Sequence, residues 1–281
     1  MSTPAATPPI ALGSAQETLL IPLLGRAMES QRKHGLIHDP KAQQIVDSLR
    51  YDFSKWRGAS SVTACTLRTR MFDQDVQAFL DLHPEGTVVE LGCGLNTRHE
   101  RLHQGRAHWV EVDLPEVIAW RRQFFSDNDS RRMVAADLRG PNWLTTLCLG
   151  NGPHCFVSEA VLFYLPAAQL HAALAAMARQ HPQSWLLMDT VAQWVVSTQA
   201  WHDAMRQLSP GAWFQWACDQ PECLHTLGLQ LKQSRTFGDC GAALMQQAPW
   251  PWSMYLMGMA WGARPWLSGY RINRFELQPP D

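Results

Sequence analysis

The chain has 281 residues, with 24 Lys and Arg against 25 Asp and Glu and a formal net charge of −1. That length suffices for one large α/β domain with a sizeable core and a cover, and the near-neutral balance exerts no global pull toward nucleic acid or an anionic membrane. No run approaches the ~18 consecutive apolar residues of a transmembrane helix. The seven cysteines are irregularly spaced, which reads as reduced thiols in a cytoplasmic protein. Cys218, Cys223 and His225 lie close in sequence without a second ligand cluster, so no metal is expected.

Residues 1–15 are rich in Pro, Ala, Ser and Thr and carry no basic residue; a disordered tail is expected there, followed by one domain over 16–281. Helices are expected over 17–33, 41–49 and 62–82, forming a helical cap over 16–84. Asp39 caps the second of these and Pro40 sits at its first position.

The period then changes. Short β-branched runs at 87–91, 108–112, 132–136, 155–158 and 184–188 alternate with helical patterns at 96–104, 115–126, 142–149 and 167–179. Such alternation predicts βαβ units and a mostly parallel sheet covered on both faces. Runs 229–236 and 271–277 read as a closing strand pair. Between them and the sheet, 193–223 and 238–269 are irregular and rich in Trp, Met and Pro, and are expected to lie over the sheet edge as a cover. Eight of the 13 tryptophans fall from Trp194 onward. They serve either as packing or as an aromatic-lined pocket, with Trp213, Trp216, Trp250, Trp252 and Trp261 as candidates for the pocket.

The chemistry concentrates at strand ends. Glu90-Leu91-Gly92-Cys93-Gly94-Leu95-Asn96-Thr97 places two glycines between the first strand and a helix, where they permit a sharp turn and close approach of backbone to ligand. A dinucleotide site would want a third glycine where Thr97 stands, so the ligand expected here lacks a pyrophosphate. Asp113 ends the second strand, placed for ribose hydroxyls, with Leu114 beside it. Asp137-Leu138 ends the third, placed for an exocyclic amine and an adenine face. Glu159 ends the fourth. In open α/β sheets ligands bind at these carboxyl ends.

These segments resemble the leucine carboxyl methyltransferase family, and more closely its bacterial branch of polyketide O-methyltransferases. The resemblance is carried by Glu90 to Thr97, by Glu111-Val112-Asp113-Leu114-Pro115 and by Ser158-Glu159-Ala160-Val161-Leu162-Phe163-Tyr164-Leu165. It extends to Glu17-Thr18-Leu19-Leu20-Ile21-Pro22-Leu23, Asp39-Pro40, Tyr51-Asp52-Phe53 and Tyr270-Arg271-Ile272-Asn273-Arg274-Phe275. It implies a class I methyltransferase fold, Rossmann-like with a seven-stranded mostly parallel sheet, and S-adenosyl-L-methionine (SAM) as cofactor. By the same resemblance Arg68 holds the methionine carboxylate, with Arg70 as the alternative register. Glu90, Gly92 and Gly94 form the glycine loop, Asp113 and Leu114 meet the ribose, Asp137 and Leu138 meet the adenine, and Glu159 lies near the methionine amino group. A lysine that eukaryotic members carry in the N-terminal helix has no match; the stretch reads Arg26-Ala27-Met28-Glu29.

A carboxylate acceptor, with a reference pKa near ~4, is ionised at neutral pH and needs no general base, whereas a phenol near ~10 does. No histidine follows the cofactor motifs in a characteristic place, which favours a carboxylate of a small natural-product-type acceptor. Arg26, Arg235, Arg264, Arg271 and Arg274 are candidates to receive it, and Tyr164 is the candidate catalytic or pocket-lining residue. Two other readings stay open. One is intramolecular cyclisation of SAM to azetidine-2-carboxylate and methylthioadenosine, and the other is SAM binding without turnover. Neither nucleic acid nor membrane is expected as a partner, and the pattern leaves oligomeric state open.

Overall fold

A computed structural model of the chain describes residues 17–102, 105–201, 205–207, 213–260 and 269–280. The expected tail at 1–15 lies outside them, as do parts of both expected covering segments. Seven strands, β1 (Thr87–Leu91), β2 (His108–Asp113), β3 (Arg131–Ala135), β4 (His154–Ser158), β5 (Trp185–Val191), β6 (Leu229–Arg235) and β7 (Tyr270–Leu277), form one sheet in the order β3-β2-β1-β4-β5-β7-β6. The pairs among β1 to β5 are parallel, and β7 runs antiparallel to both β5 and β6. The closing pair read from the sequence is thus an antiparallel edge on a parallel sheet. The strand order reverses between β1 and β4, and the carboxyl ends of those two strands open the crevice that this topology offers to a ligand.

The strands are apolar on both faces because both faces are covered. Val89, Leu91 and Phe156 pack with Leu170, Leu174 and Met177 of one helix, α7 in chain order (Ala167–Gln180). Val88, Cys155 and Val157 pack with Leu67, Met71 and Phe72 of α3 (Ser60–Leu82) on the other side. Ahead of α3 come α1 (Leu20–Ser30) and α2 (Pro40–Ser48). Asp39 caps α2, accepting from Ala42 N–H at 2.9 Å, with Pro40 at the first helical position, as the sequence suggests. The apolar stripe of α1, Leu20, Ile21, Leu23, Leu24 and Ala27, packs with Cys93 and Leu95 and so roofs the glycine loop.

The remaining helices are α4 (Arg98–Leu102), α5 (Pro115–Arg121), α6 (Trp143–Thr146), α8 (Gln193–Thr198), α9 (Ala242–Gln247) and α10 (Trp252–Ala260). Several are shorter than the periodicity predicts. The helix expected to reach 126 ends at Arg121, because the chain turns there to set Phe125 beneath the guanidinium, 4.1 Å from ring centroid to Arg121 Cζ. Among the described residues no helix is long and apolar enough to cross a membrane.

Candidate active site

The loop between β1 and α4 is fixed from both sides. Gly92 has φ +66° and Gly94 φ +47°, a region L side chains rarely adopt. A Cβ would also stand 2.4 Å from Val161 at the first and 2.8 Å from Leu19 at the second. Asp113 accepts the Gly94 N–H at 2.7 Å on one oxygen and the Leu114 N–H at 2.8 Å on the other. Burial pushes its carboxyl up to about 6, with those two amides opposing the rise. Three successive carbonyls of the loop accept from buried guanidinium groups: Gly94 and Asn96 from Arg121 at 3.0 and 2.7 Å, and Leu95 from Arg26 at 2.8 Å. Arg121 is held in turn by Glu111, and Arg26 by Asp39 at 3.0 Å.

Beneath the loop lies a network of buried charges contributed by α3, α4 and the ends of β1 and β4. Arg98 donates to Asp73 at 2.8 Å, to Glu90 at 2.6 Å and to Glu159 at 2.5 Å. Glu159 also accepts from Arg68 Nε at 2.9 Å and from the Thr69 hydroxyl at 2.7 Å. Burial raises the Glu159 carboxyl, but Arg68, Arg98 and Thr69 outweigh it and hold it below the ordinary carboxylate range. At Glu90 burial wins over Arg98 and the shift is upward. Arg68 Nη1 reaches the Tyr270 hydroxyl at 3.3 Å, and that hydroxyl donates to Asp189.

This floor closes the bottom of a cavity of about 720 Å³. Phe163, Tyr164 and Phe214 form one wall, and Phe237, Trp252 and Tyr255 line it as well. The wall rings meet edge-on or tilted, Phe163 to Phe214 at 4.5 Å and Tyr164 to Phe214 at 5.2 Å between centroids, geometries that aromatic quadrupoles favour. Trp194 and Trp201 also line the cavity and remain 48% and 87% exposed.

Of the residues singled out in the sequence, Arg26, Arg68, Glu90, Gly92, Gly94, Glu159, Tyr164 and Trp252 line this cavity. Arg70 does not line it, whereas Arg68 does. Asp113 and Leu114 do not line it either; Asp113 touches it only through Gly94. Asp137 is drawn away by Arg139, whose Nη2 bonds it at 2.6 Å, and Leu138 is buried in the core with Trp143 and Leu144. The reading of Trp213, Trp216 and Trp250 as pocket residues is corrected. Trp216 is buried in the core beside His171, Trp213 packs against the cluster under α1, and Trp250 is 76% exposed with its indole on Met254 Sδ. Trp261 and Arg264 lie outside the described residues. Arg26 braces the glycine loop through Asp39 and the Leu95 carbonyl. Arg235 is paired with Asp75 at 2.5 Å, Arg274 stacks 4.4 Å over the Trp185 ring, and Arg271 lies off the cavity lining. Among the described residues no group of three or more His, Cys, Asp or Glu side chains is gathered for a metal.

The sequence assigns no role to Arg98, Asp73 or Asp189, and marks Tyr270 only as part of a resembling segment. The structure starts α4 at Arg98, where a cation opposes the macrodipole and is offset by its three carboxylate partners.

Residues 20–178 match the profile of the leucine carboxyl methyltransferase family. The chain belongs to this family. It is a SAM-dependent methyltransferase. Among its relatives is the tetracenomycin polyketide synthesis O-methyltransferase TcmP of Streptomyces glaucescens, 30% identical over 219 residues that span 77% of this chain and 80% of that protein. The S-adenosyl-L-methionine-dependent methyltransferase dpfgK of Gibberella zeae is 31% identical over 150 residues, 48% of this chain and 50% of that one. Among solved structures, magnesium protoporphyrin IX methyltransferase from Synechocystis PCC 6803 with bound SAM aligns over 85% of this chain and 97% of its own, with 14% identity and a TM-score of 0.47. The family match runs from α1 to α7, and so takes in the glycine loop, Arg68, Arg98, Glu159 and Tyr164.

Proposed function

We propose that this methyltransferase transfers the methyl group of SAM to a carboxylate on a small, largely apolar acceptor of natural-product type. The observation that carries the reading is one chamber with two kinds of lining. Its ion-paired floor sits at the ends of β1 and β4, and its walls are aromatic. The cofactor fits the floor by donor chemistry: an α-ammonium suits Glu159, an α-carboxylate suits Arg68, and bare glycine backbone at Gly92 and Gly94 admits a close approach. Asp113, at the end of β2 and bonded to the loop, is assigned to the ribose hydroxyls. Asp137 and Leu138 receive no role.

Bound SAM supplies an electrophilic methyl group on a sulfonium, so the protein's own task is alignment and exclusion of water. The aromatic walls supply a dry boundary, and their π faces suit a nearby cation. Tyr164 lines the chamber, and burial pushes its phenol further above the ordinary value. It therefore stays protonated and serves as a hydrogen-bond donor to an acceptor oxygen, not as a base. Glu90 and Glu159 are both engaged by guanidinium groups. A chamber whose carboxylates, among the described residues, are already ion-paired suits an acceptor that is already ionised.

The test is incubation with SAM alone, then with matched pairs of apolar aromatic acids and phenols, followed by mass analysis. S-adenosylhomocysteine together with alkali-labile methyl esters supports the proposal. Alkali-stable ethers would move the acceptor to hydroxyl. Methylthioadenosine from SAM alone would replace transfer with cyclisation, and SAM binding with no product from any acceptor would make the chain a non-catalytic binder.

A further inference from the structure

Asp189 lies near the end of β5, fully buried and outside the cavity lining. Its carboxylate accepts the Ala160 N–H on both oxygens, at 3.0 and 2.9 Å, and the Tyr270 hydroxyl on one. The partners close a ring. Tyr270 Oη accepts from Arg68 Nη1 at 3.3 Å, Arg68 Nε donates to Glu159 at 2.9 Å, and Glu159 is the covalent neighbour of Ala160. Ala160 has φ +55° without being glycine, a conformation that persists only where surroundings impose it. Here the imposing contact is its N–H on Asp189.

Fold stability alone gives no reason for a carboxylate at this position. Its nearest guanidinium nitrogen, Arg68 Nε, is 3.9 Å away, too far for a hydrogen bond. A carboxylate taken out of water without close pairing is unfavourable, and of the β5 residues around it Leu187, Met188 and Val191 are buried and apolar while Thr190 is buried and bonded by Asn273. An apolar residue would suit the strand better unless the carboxylate has a task.

We propose that Asp189 is the positioning residue for the amino-acid end of the cofactor. Through Ala160 N–H it sets the turn that presents Glu159, and through the Tyr270 hydroxyl it sets the second contact of Arg68. The guanidinium and the Glu159 carboxylate are thereby held at one spacing before any ligand arrives. Pre-set groups of this kind forgo reorganisation on binding. The groups facing Asp189 are Arg68 from α3, Glu159 and Ala160 from the β4 turn and Tyr270 from β7. The inference rests on the reading that Arg68 and Glu159 receive the methionine end of SAM.

The test is calorimetric titration of SAM into the full-length protein and its Asp189→Asn, Tyr270→Phe and Arg68→Lys variants, with both first changes repeated on the Arg68→Lys background and thermal melts throughout. Asp189→Asn is expected to raise the SAM dissociation constant about tenfold, and Tyr270→Phe, which keeps the ring stacked on Phe237, about threefold. On the Arg68→Lys background each change should add less than twofold, because the residue acts through that guanidinium. The same cost in both backgrounds, or an unchanged dissociation constant in Asp189→Asn and Tyr270→Phe, overturns the positioning role while leaving the SAM site intact. An unchanged constant in Arg68→Lys overturns the assignment of the methionine end and the positioning role with it. Should Asp189→Asn give no cooperative melt, Tyr270→Phe decides by the same cycle.

Discussion

Arg98, bonded to the Glu90 and Glu159 carboxylates that line the cavity, is itself 1% exposed, and each of its three guanidinium nitrogens holds a different carboxylate. Trp201, which lines the same cavity, is 87% exposed. The floor is built from α3, α4 and the ends of β1 and β4, whose charged side chains are locked by several partners each. The cover is built by α8, α9, α10 and single-turn segments that meet chiefly through rings. A locked floor can hold one cofactor in one pose, whereas a cover with few polar bonds can vary in sequence without disturbing it. Acceptor choice and cofactor binding are therefore expected to separate on mutation.

The largest effect should come from the floor. Arg98→Met keeps the volume and removes the charge, leaving Asp73, Glu90 and Glu159 short of their common partner. Breaking a buried ionic network in this way costs about 3–5 kcal/mol, read as a large fall in the urea midpoint. Trp201→Ala, at the other extreme of exposure, should change stability by less than about 0.5 kcal/mol. Equal shifts in the two variants would erase the contrast between floor and cover.

Next in size is Asp113→Ala. It removes the acceptor that anchors the Gly94 and Leu114 amides and the proposed ribose ligand, each bond to the carboxylate being worth roughly 1.5–3 kcal/mol. SAM affinity should fall more than tenfold by calorimetry. An unchanged affinity would remove Asp113 from the site and leave it as a loop anchor only.

The same contrast explains what could be read in the sequence. The sheet was legible because β-branched runs recur between helical patterns, and Gly92 and Glu159, which line the cavity, stand out because each follows a strand directly. Their partners do not. Arg68 and Tyr270 are 202 positions apart, and Arg68 and Glu159 are 91 apart; local spacing carries no information about such pairs. Asp189 stands in the same way immediately after the run 184–188, and only the long-range contacts with Ala160 and Tyr270 separate it from an ordinary cap. In the cover, composition pointed to aromatic residues without saying which. Trp194, Trp201 and Trp252 line the cavity while Trp213, Trp216 and Trp250 do not, and helices of six to nine residues such as α8 and α10 are too brief for periodicity to assign a face.

A smaller, graded effect concerns pH. Burial pushes the carboxyls of Asp113 and Asp189 up to about 6, above an unfolded value of about 3.9. With the folded value raised, their contribution to stability is full below about 4 and is lost as pH rises through about 6. Ligand binding runs the opposite way, because both must be ionised to accept the hydrogen bonds that set the loop and the Arg68 ring. SAM affinity should therefore weaken several-fold from pH 7.5 to 5.5 while these two groups do not lower the melting temperature over that window. A flat affinity profile would show that neither carboxylate titrates in a state that matters to binding.

The smallest effect on the floor, and the most selective for the acceptor, is expected at Trp252. Its ring lines the cavity, edge-on to Phe237 at 6.2 Å and to Tyr255 at 5.0 Å between centroids. Trp252→Phe keeps an aromatic wall and removes part of its apolar face. It should raise the acceptor KM by about fivefold, roughly the loss of 40 Å² of apolar contact, with the SAM dissociation constant unchanged. Trp216→Phe is the matched control, since that ring is buried in the core away from the cavity; it should lower the melting temperature and leave the acceptor KM as it was. If Trp252→Phe instead weakens SAM binding and spares the acceptor, the wall belongs to the cofactor, and the division of the cavity into floor and cover has to be redrawn.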